Sequence, residues 1–343
     1  MPFQIVRNDI TKVKADVIVN TANPEPVIGD GTDHAVYEAA GAAELLQDRI
    51  RIGKMKPGQV AWTRAYALDA KYIFHAVGPV WCGGDQQEEN VLRDCYAHAL
   101  ALADELGCES IAFPLISSGT YGFPRERALS VALEEVGKFL LSHELLVILV
   151  VFDRESFGVS SSLFHDMEEF IDEHHVARLL EKEYRVLDER RQILARRSRV
   201  EGMGFQEGSR LFKNHAVPKV EKTLEQILSG QEDTFQQRLL QLIDQKALTD
   251  AEVYKKANID RRVFSKIRCN VNYTPKKKTA LAFAIALELD LATAVDLLSR
   301  AGYALSPSST FDQIVAYYII HGNYDIYEIN ASLFAYHQPI LGE

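Results

Sequence analysis

Residues 20–41 read NTANPEPVIGDGTDHAVYEAAG, a succession of residue types suited to an anionic ligand. An apolar β-branched run ends in the amides Asn20 and Asn23, a Gly-Asp-Gly turn follows, and Asp33 opens a helical stretch. That order gathers backbone N–H groups, amide side chains and one carboxylate at the mouth of a strand-loop-helix unit. Glycines let the backbone approach a ligand closely and a helix N-terminus attracts negative charge, so such a mouth fits a phosphorylated molecule. A second segment, SSGTYG from Ser117 to Gly122, sets glycines and hydroxyls before another helical pattern. It suits a pyrophosphate, with a plain strand-to-helix turn as the alternative.

The elements that must position these segments are legible as short apolar runs at residues 3–6, 16–20, 59–63, 72–77, 110–115 and 145–152. Several lack polar alternation, as expected of strands buried on both faces. Helical patterns lie between them at 33–50, 88–106 and 124–141, with another at 161–174. The alternation predicts a three-layer α/β/α unit with a mostly parallel sheet, whose ligand crevice lies at the carboxyl ends of its strands.

At 343 residues the chain is too long for one typical core, and two or three domains are expected. From about residue 176 to 216 the composition turns to charged helix formers, including DERRQILARRSR, and closes in GMGFQEG. This reads as a helical connector, its arginines being equally well a solvated face. Beyond residue 217 strand signals vanish. Residues 217–343 form an all-α region, in which 249–303 contains short amphipathic helices joined by tight turns.

No apolar run approaches the ~20 residues of a membrane span. The opening MPFQIVRNDI has neither a basic n-region nor an apolar h-region, so a cytoplasmic location is expected. Cys82, Cys95, Cys108 and Cys269 form no C-x-x-C pair and have no histidine at metal-ligand spacing. Reduced thiols are expected, with neither disulfide nor metal. A net charge of −10 argues against a chain that coats nucleic acid all over, though it leaves room for a local basic face.

Several separated blocks, taken together, resemble the macrodomain, the ADP-ribose-binding α/β/α module, over residues 1–175. NDIT at 8–11 resembles its GDIT, NTAN at 20–23 its NAAN, and GDGTDHAVYEAAG its GGGGVDGAIHRAAG. FHAVGP, FPLISSGTYGFP and VVFD follow in the family's order. The resemblance implies ADP-ribose as ligand or product, with no other cofactor. Its expected binding set is Asp9, Ile10, Asn20, Asn23, Gly31, Thr32, Ser117, Ser118, Gly119, Thr120, Tyr121, Gly122, Phe123 and Phe152.

Within that set, Asp9 would accept a hydrogen bond from the adenine amino group, a turn or N-cap aspartate being the alternative. Phe123 and Phe152 could each stack on a ring or fill the core. Asn23 is assigned by the resemblance to the distal ribose, and Asn20 to the ligand or to bracing its loop. Asp33 is implied to orient or deprotonate water near the anomeric carbon, so Asp33 and Asn23 are the candidate catalytic pair; a helix N-cap is the other reading of Asp33. Three positions depart from the pattern: Asp30 stands where glycine is usual and is expected to face solvent, Tyr37 replaces histidine and Thr32 replaces valine.

Residues 249–298 resemble a phage-repressor helix-turn-helix, with Ala257, Ile259, DRRVFSKIR and AIAL in the family's places. Residues 251–280 hold nine basic against two acidic residues, a surplus of seven positive charges in an acidic protein. Arg261, Arg262, Lys266 and Arg268 fall on or beside the candidate recognition helix, where they could meet the phosphates or bases of DNA or RNA. A helical interaction module with a solvated basic face is the competing reading. The expected function is hydrolysis of ADP-ribosyl esters, either modified Asp or Glu side chains or O-acetyl-ADP-ribose. The alternative is a non-catalytic ADP-ribose reader coupled to the helical region.

Overall fold

The computed structural model describes residues 2–151 and 233–342. The helical pattern at 161–174, the connector at 176–216 and Phe152 lie outside the described residues.

Six strands form one sheet: β1 (Phe3–Arg7), β2 (Val17–Thr21), β3 (Val60–Arg64), β4 (Tyr72–Ala76), β5 (Ser110–Pro114) and β6 (Leu146–Val151). Their order is β1-β6-β5-β2-β4-β3, and only the β3–β4 pairing is antiparallel. The apolar runs in β2, β5 and β6 are buried on both faces, which is why they lack alternation. Helices α1 (Thr32–Ala40) and α2 (Ala42–Ile52) cover one face; α3 (Glu88–Glu105) and α4 (Arg125–Leu140) cover the other. The single helix expected over 33–50 is therefore two. Gly41, at φ +106°, adopts a backbone conformation that side-chain-bearing residues rarely reach, and it ends α1 and starts α2.

Among the described residues the second part of the chain is entirely helical. It comprises α5 (Phe235–Gln245), α6 (Asp250–Lys256), α7 (Arg261–Cys269), α8 (Lys277–Ala286), α9 (Leu291–Arg300), α10 (Thr310–Ile320) and α11 (Ile326–Ala335). Side-chain caps mark most starts: Thr234 and Thr249 close capping boxes with Gln237 and Glu252, and Asp260, Asp290 and Asp325 cap α7, α9 and α11. Helix α8, KKTALAFAIA, is buried nearly all round and forms the centre of the bundle. No helix among the described residues is long and apolar enough to cross a membrane.

The helical bundle has no separate core. Its buried side chains run on into those of α3, α4 and β1. At the junction Asn258, fully buried and left-handed at φ +52°, terminates α6 and turns its amide onto the edge strand. It accepts from Phe3 N–H at 2.9 Å and donates to Phe3 C=O at 3.1 Å, which completes backbone hydrogen bonding where, among the described residues, β1 has no strand on its outer side. Tyr327 of α11 stacks edge-on against Phe3 at 5.3 Å and lies over Gly137 of α4, where an added Cβ would come within 3.1 Å of its ring. This docking face lies at the amino ends of β1 and β6.

Replacing Asn258 with alanine strands two buried backbone groups of Phe3. The variant is expected to lose roughly 2–4 kcal/mol in urea unfolding, and a loss within error of zero would show the clamp to be dispensable.

Candidate functional site

At the opposite, carboxyl ends of β2, β5 and β6 the loops enclose a crevice of about 280 Å³. Two sets of unengaged backbone donors face it. Helix α1 begins at Gly31 without a side-chain cap, so its first-turn N–H groups are open toward the crevice residues Gly31, Thr32 and Asp33. Opposite, the 117–123 loop is folded by Ser118 Oγ on Leu115 C=O (2.8 Å), Gly122 N–H on Gly119 C=O (2.9 Å) and Phe123 N–H on Ser117 C=O (3.0 Å). These bonds leave the N–H groups of Gly119, Thr120 and Tyr121 without an acceptor among the described residues. Ser117 lies at φ +63°, its hydroxyl buried and unpartnered, against Gly78. A Cβ at Gly78 would fall 2.1 Å from that oxygen, so only glycine fits there. The arrangement can hold an anion between a helix N-terminus and a nest of amides.

The carboxylate end is built on Asp33, 2% exposed at the second position of α1. It does not cap the helix. Its Oδ1 accepts from Asn20 Nδ2 at 2.6 Å and its Oδ2 from Gly29 N–H at 2.6 Å. Burial pushes the Asp33 pKa up, against the lowering effects of these two donors and of the positive charges of Arg49 and His34. Asn23, beside it, accepts from Tyr121 Oη at 3.1 Å and donates to Val27 C=O at 3.3 Å. Gly29 leaves this corner room: a Cβ there would be 2.5 Å from Asn23 Nδ2.

Behind Asp33 runs a buried polar chain. Asn20 Nδ2 also approaches His75 Nδ1 at 3.4 Å, and His75 Nε2 lies 3.1 Å from Thr63 Oγ1. An amide nitrogen only donates, so His75 Nδ1 is the acceptor and the imidazole proton resides on Nε2. Burial, helped by the charge of Arg49, pushes the His75 pKa down to about 3, which keeps the ring neutral. Arg49 of α2, 1% exposed, donates to the carbonyls of Asn23 (2.9 Å), Pro24 (3.3 Å) and Gly53.

Of the residues expected to meet a ligand, Asn23, Gly31, Thr32, Asp33 and Ser117 to Tyr121 line the crevice. Gly122 closes its loop at φ +67°. Asn20 lies beneath the floor, fully buried, and braces Asp33. Phe123 is in the core, edge-on to Trp81 at 4.7 Å. Asp9 caps a short turn by accepting from Thr11 N–H and Oγ1 (2.9 and 2.8 Å), and Ile10 is buried beside it. Asn8 N–H bonds Val151 C=O, which brings this turn to the β6 end of the crevice. Asp30 is exposed at the rim, as expected. Tyr37 packs in the core below Asp33, its pKa pushed up to about 12 by burial and by the Asp33 charge.

Gly29, Arg49, Thr63, His75 and Gly78 were not foreseen. Two had a signal: Arg49 follows Leu45 by one helical turn on the buried face of α2, and His75 interrupts the apolar run of β4.

The four basic residues of α7 separate into two groups. Arg268 pairs with Asp250 at 2.6 Å. Arg261, Arg262 and Lys266 are exposed and have no ion-pair partner among the described residues. Arg261 and Arg262 border a cleft between α7 and the amino ends of the sheet.

His75 makes stability depend on pH in a predictable direction. An unfolded histidine titrates near 6.5, whereas the folded one resists its proton down to about 3. Its contribution is thus fully present above pH ~6.5 and is lost as the pH falls toward 3, approaching ~1.4 kcal/mol per unit. His75→Gln is expected to flatten that part of the urea-stability profile relative to the parent chain.

Comparison with known proteins agrees with this geometry. Residues 19–132 match the family model of the Macro domain. A Macro domain-containing protein of Methanosarcina mazei is 43% identical over 156 residues, covering 45% of this chain and 83% of that one. The O-acetyl-ADP-ribose deacetylase of Escherichia coli is 43% identical over 159 residues, covering 45% and 90%. Among solved structures, the Oceanobacillus iheyensis macrodomain with ADP aligns at 34% identity over 48% of this chain and 90% of that one, with a TM-score of 0.44. The relatives from Methanosarcina mazei and Escherichia coli, each 43% identical and matched over more than four fifths of its own length, identify the chain as a member of the Macro domain family.

Proposed function

We propose that the crevice binds ADP-ribose and that the protein hydrolyses ADP-ribosyl esters, either on Asp and Glu side chains or in O-acetyl-ADP-ribose. The carrying observation is the position of Asp33: a buried carboxylate at the crevice wall, next to Asn23 and adjoining two sets of free amides. The amides of Gly119 to Tyr121 and the start of α1 would take the diphosphate, Asn23 the distal ribose and the Asp9 turn the adenine. Each Asp33 oxygen keeps a lone pair beyond its protein donor, so the carboxylate can hold water within hydrogen-bond reach of the anomeric carbon. On attack the water proton passes to Asp33, the bond from the anomeric carbon to the ester oxygen breaks, and the substrate carboxylate leaves with the electron pair. Burial strengthens Asp33 as a base. Activity should therefore fall on the acid side as that carboxylate gains a proton. The name of the Escherichia coli relative supports ester hydrolysis as the reaction class.

Asp33→Ala is expected to lower release of ADP-ribose from an Asp- or Glu-modified protein about 100-fold or more. Calorimetry should find ADP-ribose binding largely retained; unchanged turnover would remove Asp33 from the reaction. One observation favours a second reading, the non-catalytic reader. Both Asp33 oxygens already accept bonds of 2.6 Å from the protein, as in a purely structural brace. Binding without turnover in the parent chain would decide for it.

For the helical region we propose a helix-turn-helix-like unit of α6, α7 and α8. The buried turn Ala257, Asn258 and Ile259 supports it, as do the exposed cations Arg261, Arg262 and Lys266 of α7, which have no ion-pair partner among the described residues. If this face takes nucleic acid, retention of duplex DNA should weaken steeply with salt, by a log-log slope of about −0.9 per phosphate neutralised. No retention at low salt would leave a protein-interaction role for that face.

A further inference from the structure

We propose that Arg49 is a positioning residue of the crevice, fixing the turn that presents Asn23 and supplying the positive charge that balances Asp33. The inference deepens the hydrolytic reading and takes its kinetic consequence from it.

Arg49 is among the largest fully buried side chains of the protein. Its guanidinium is hydrogen-bonded to three carbonyls, those of Asn23, Pro24 and Gly53, and to no carboxylate among the described residues. Carbonyl dipoles satisfy its N–H groups but leave its charge unneutralised, an arrangement with a high desolvation cost. Three acidic groups act on it electrostatically, Tyr37, Asp33 and Glu25; Tyr37, its pKa pushed up to about 12, is uncharged at neutral pH, and Glu25 is engaged by Lys54 at 2.6 Å on the surface. Asp33 is the buried counter-charge that remains.

The relation also holds from the side of Asp33. The groups facing its carboxylate are Asn20 of β2, the Gly29 N–H, His34 and Tyr37 of α1, Tyr121 of the 117–123 loop and Arg49 of α2. His75 of β4 lies behind Asn20 and is neutral, both tyrosines are protonated at neutral pH, and His34 is exposed. Among the described groups that act on the Asp33 carboxylate, Arg49 is therefore the permanent cation. Its location follows from the helix: one turn beyond the fully buried Leu45, α2 carries it under the Asn23–Pro24 turn. There the fork holds two successive carbonyls of the loop whose side chain, Asn23, meets Tyr121 across the crevice.

The test uses the full chain with Arg49→Gln and Arg49→Lys. It follows the Asp33 carboxyl by ¹³C NMR titration and the pH profile of kcat/KM for ester release. In Arg49→Gln the Asp33 midpoint should rise by about one pH unit or more, the acid limb of the profile should move with it, and KM should rise about fivefold or more. Arg49→Lys keeps the charge without the fork, so the midpoint should stay within about 0.3 unit while KM still rises. A folded Arg49→Gln chain with an unmoved Asp33 midpoint and an unchanged KM overturns the proposal. If that variant does not fold, an unchanged KM in Arg49→Lys overturns it instead. A parent chain that releases no ADP-ribose would defeat the hydrolytic reading alone, since the Asp33 midpoint and ADP-ribose affinity by calorimetry still report on Arg49.

Discussion

One buried carboxyl group, supported by protein donors and a buried cation, governs this crevice. Asp33 sits at the first turn of α1, and every nearby choice of residue serves to keep a carboxylate there. Asn20 at the end of β2 gives one donor, the glycine backbone at residue 29 gives another, and α2 brings Arg49 underneath. The polar chain through His75 to Thr63 extends this arrangement across β4 into β3. Low dielectric makes each member matter more than it would in water, and an unpaired member would be costly. Sheet order, the break at Gly41 and the phase of α2 can all be understood as what sets these groups within reach of each other.

The amides that line the crevice stand apart from this network. Anion-holding groups are backbone amides, whose placement depends on loop shape and on glycines such as Gly78 and Gly122. Apart from the Gly29 amide, the groups around Asp33 are side chains from several elements, and their effect is electrostatic. A change to the former alters where a diphosphate could rest. A change to the latter alters which protonation state waits beside it.

Sequence reading recovered much of the fold because the strands are apolar without alternation and turn signals separate them. It missed the division of α1 from α2 because a single glycine in a helical pattern is usually tolerated, and only φ at Gly41 shows otherwise. The crevice lining was legible because amides, glycines and hydroxyls follow strand ends in blocks. The support beneath was not. Arg49 and His75 are polar residues in apolar positions, which periodicity flags as exceptions but cannot explain without knowing what packs against them. The union of helical bundle and edge strand was equally hidden, since FQIV reads the same at an edge as in a sheet centre and Asn258 reads as an ordinary helix-ending asparagine.

The Phe3 clamp bears on how the chain assembles. β1 and its partners are far apart along the chain: β6 begins 143 residues after Phe3, at Leu146, and the amide that seals the outer side of β1 comes only at Asn258. Closing such long loops makes pairing slow relative to local helix formation. β1 is thus among the last strands to be secured, and until Asn258 docks, its outer edge is open to pairing with another chain.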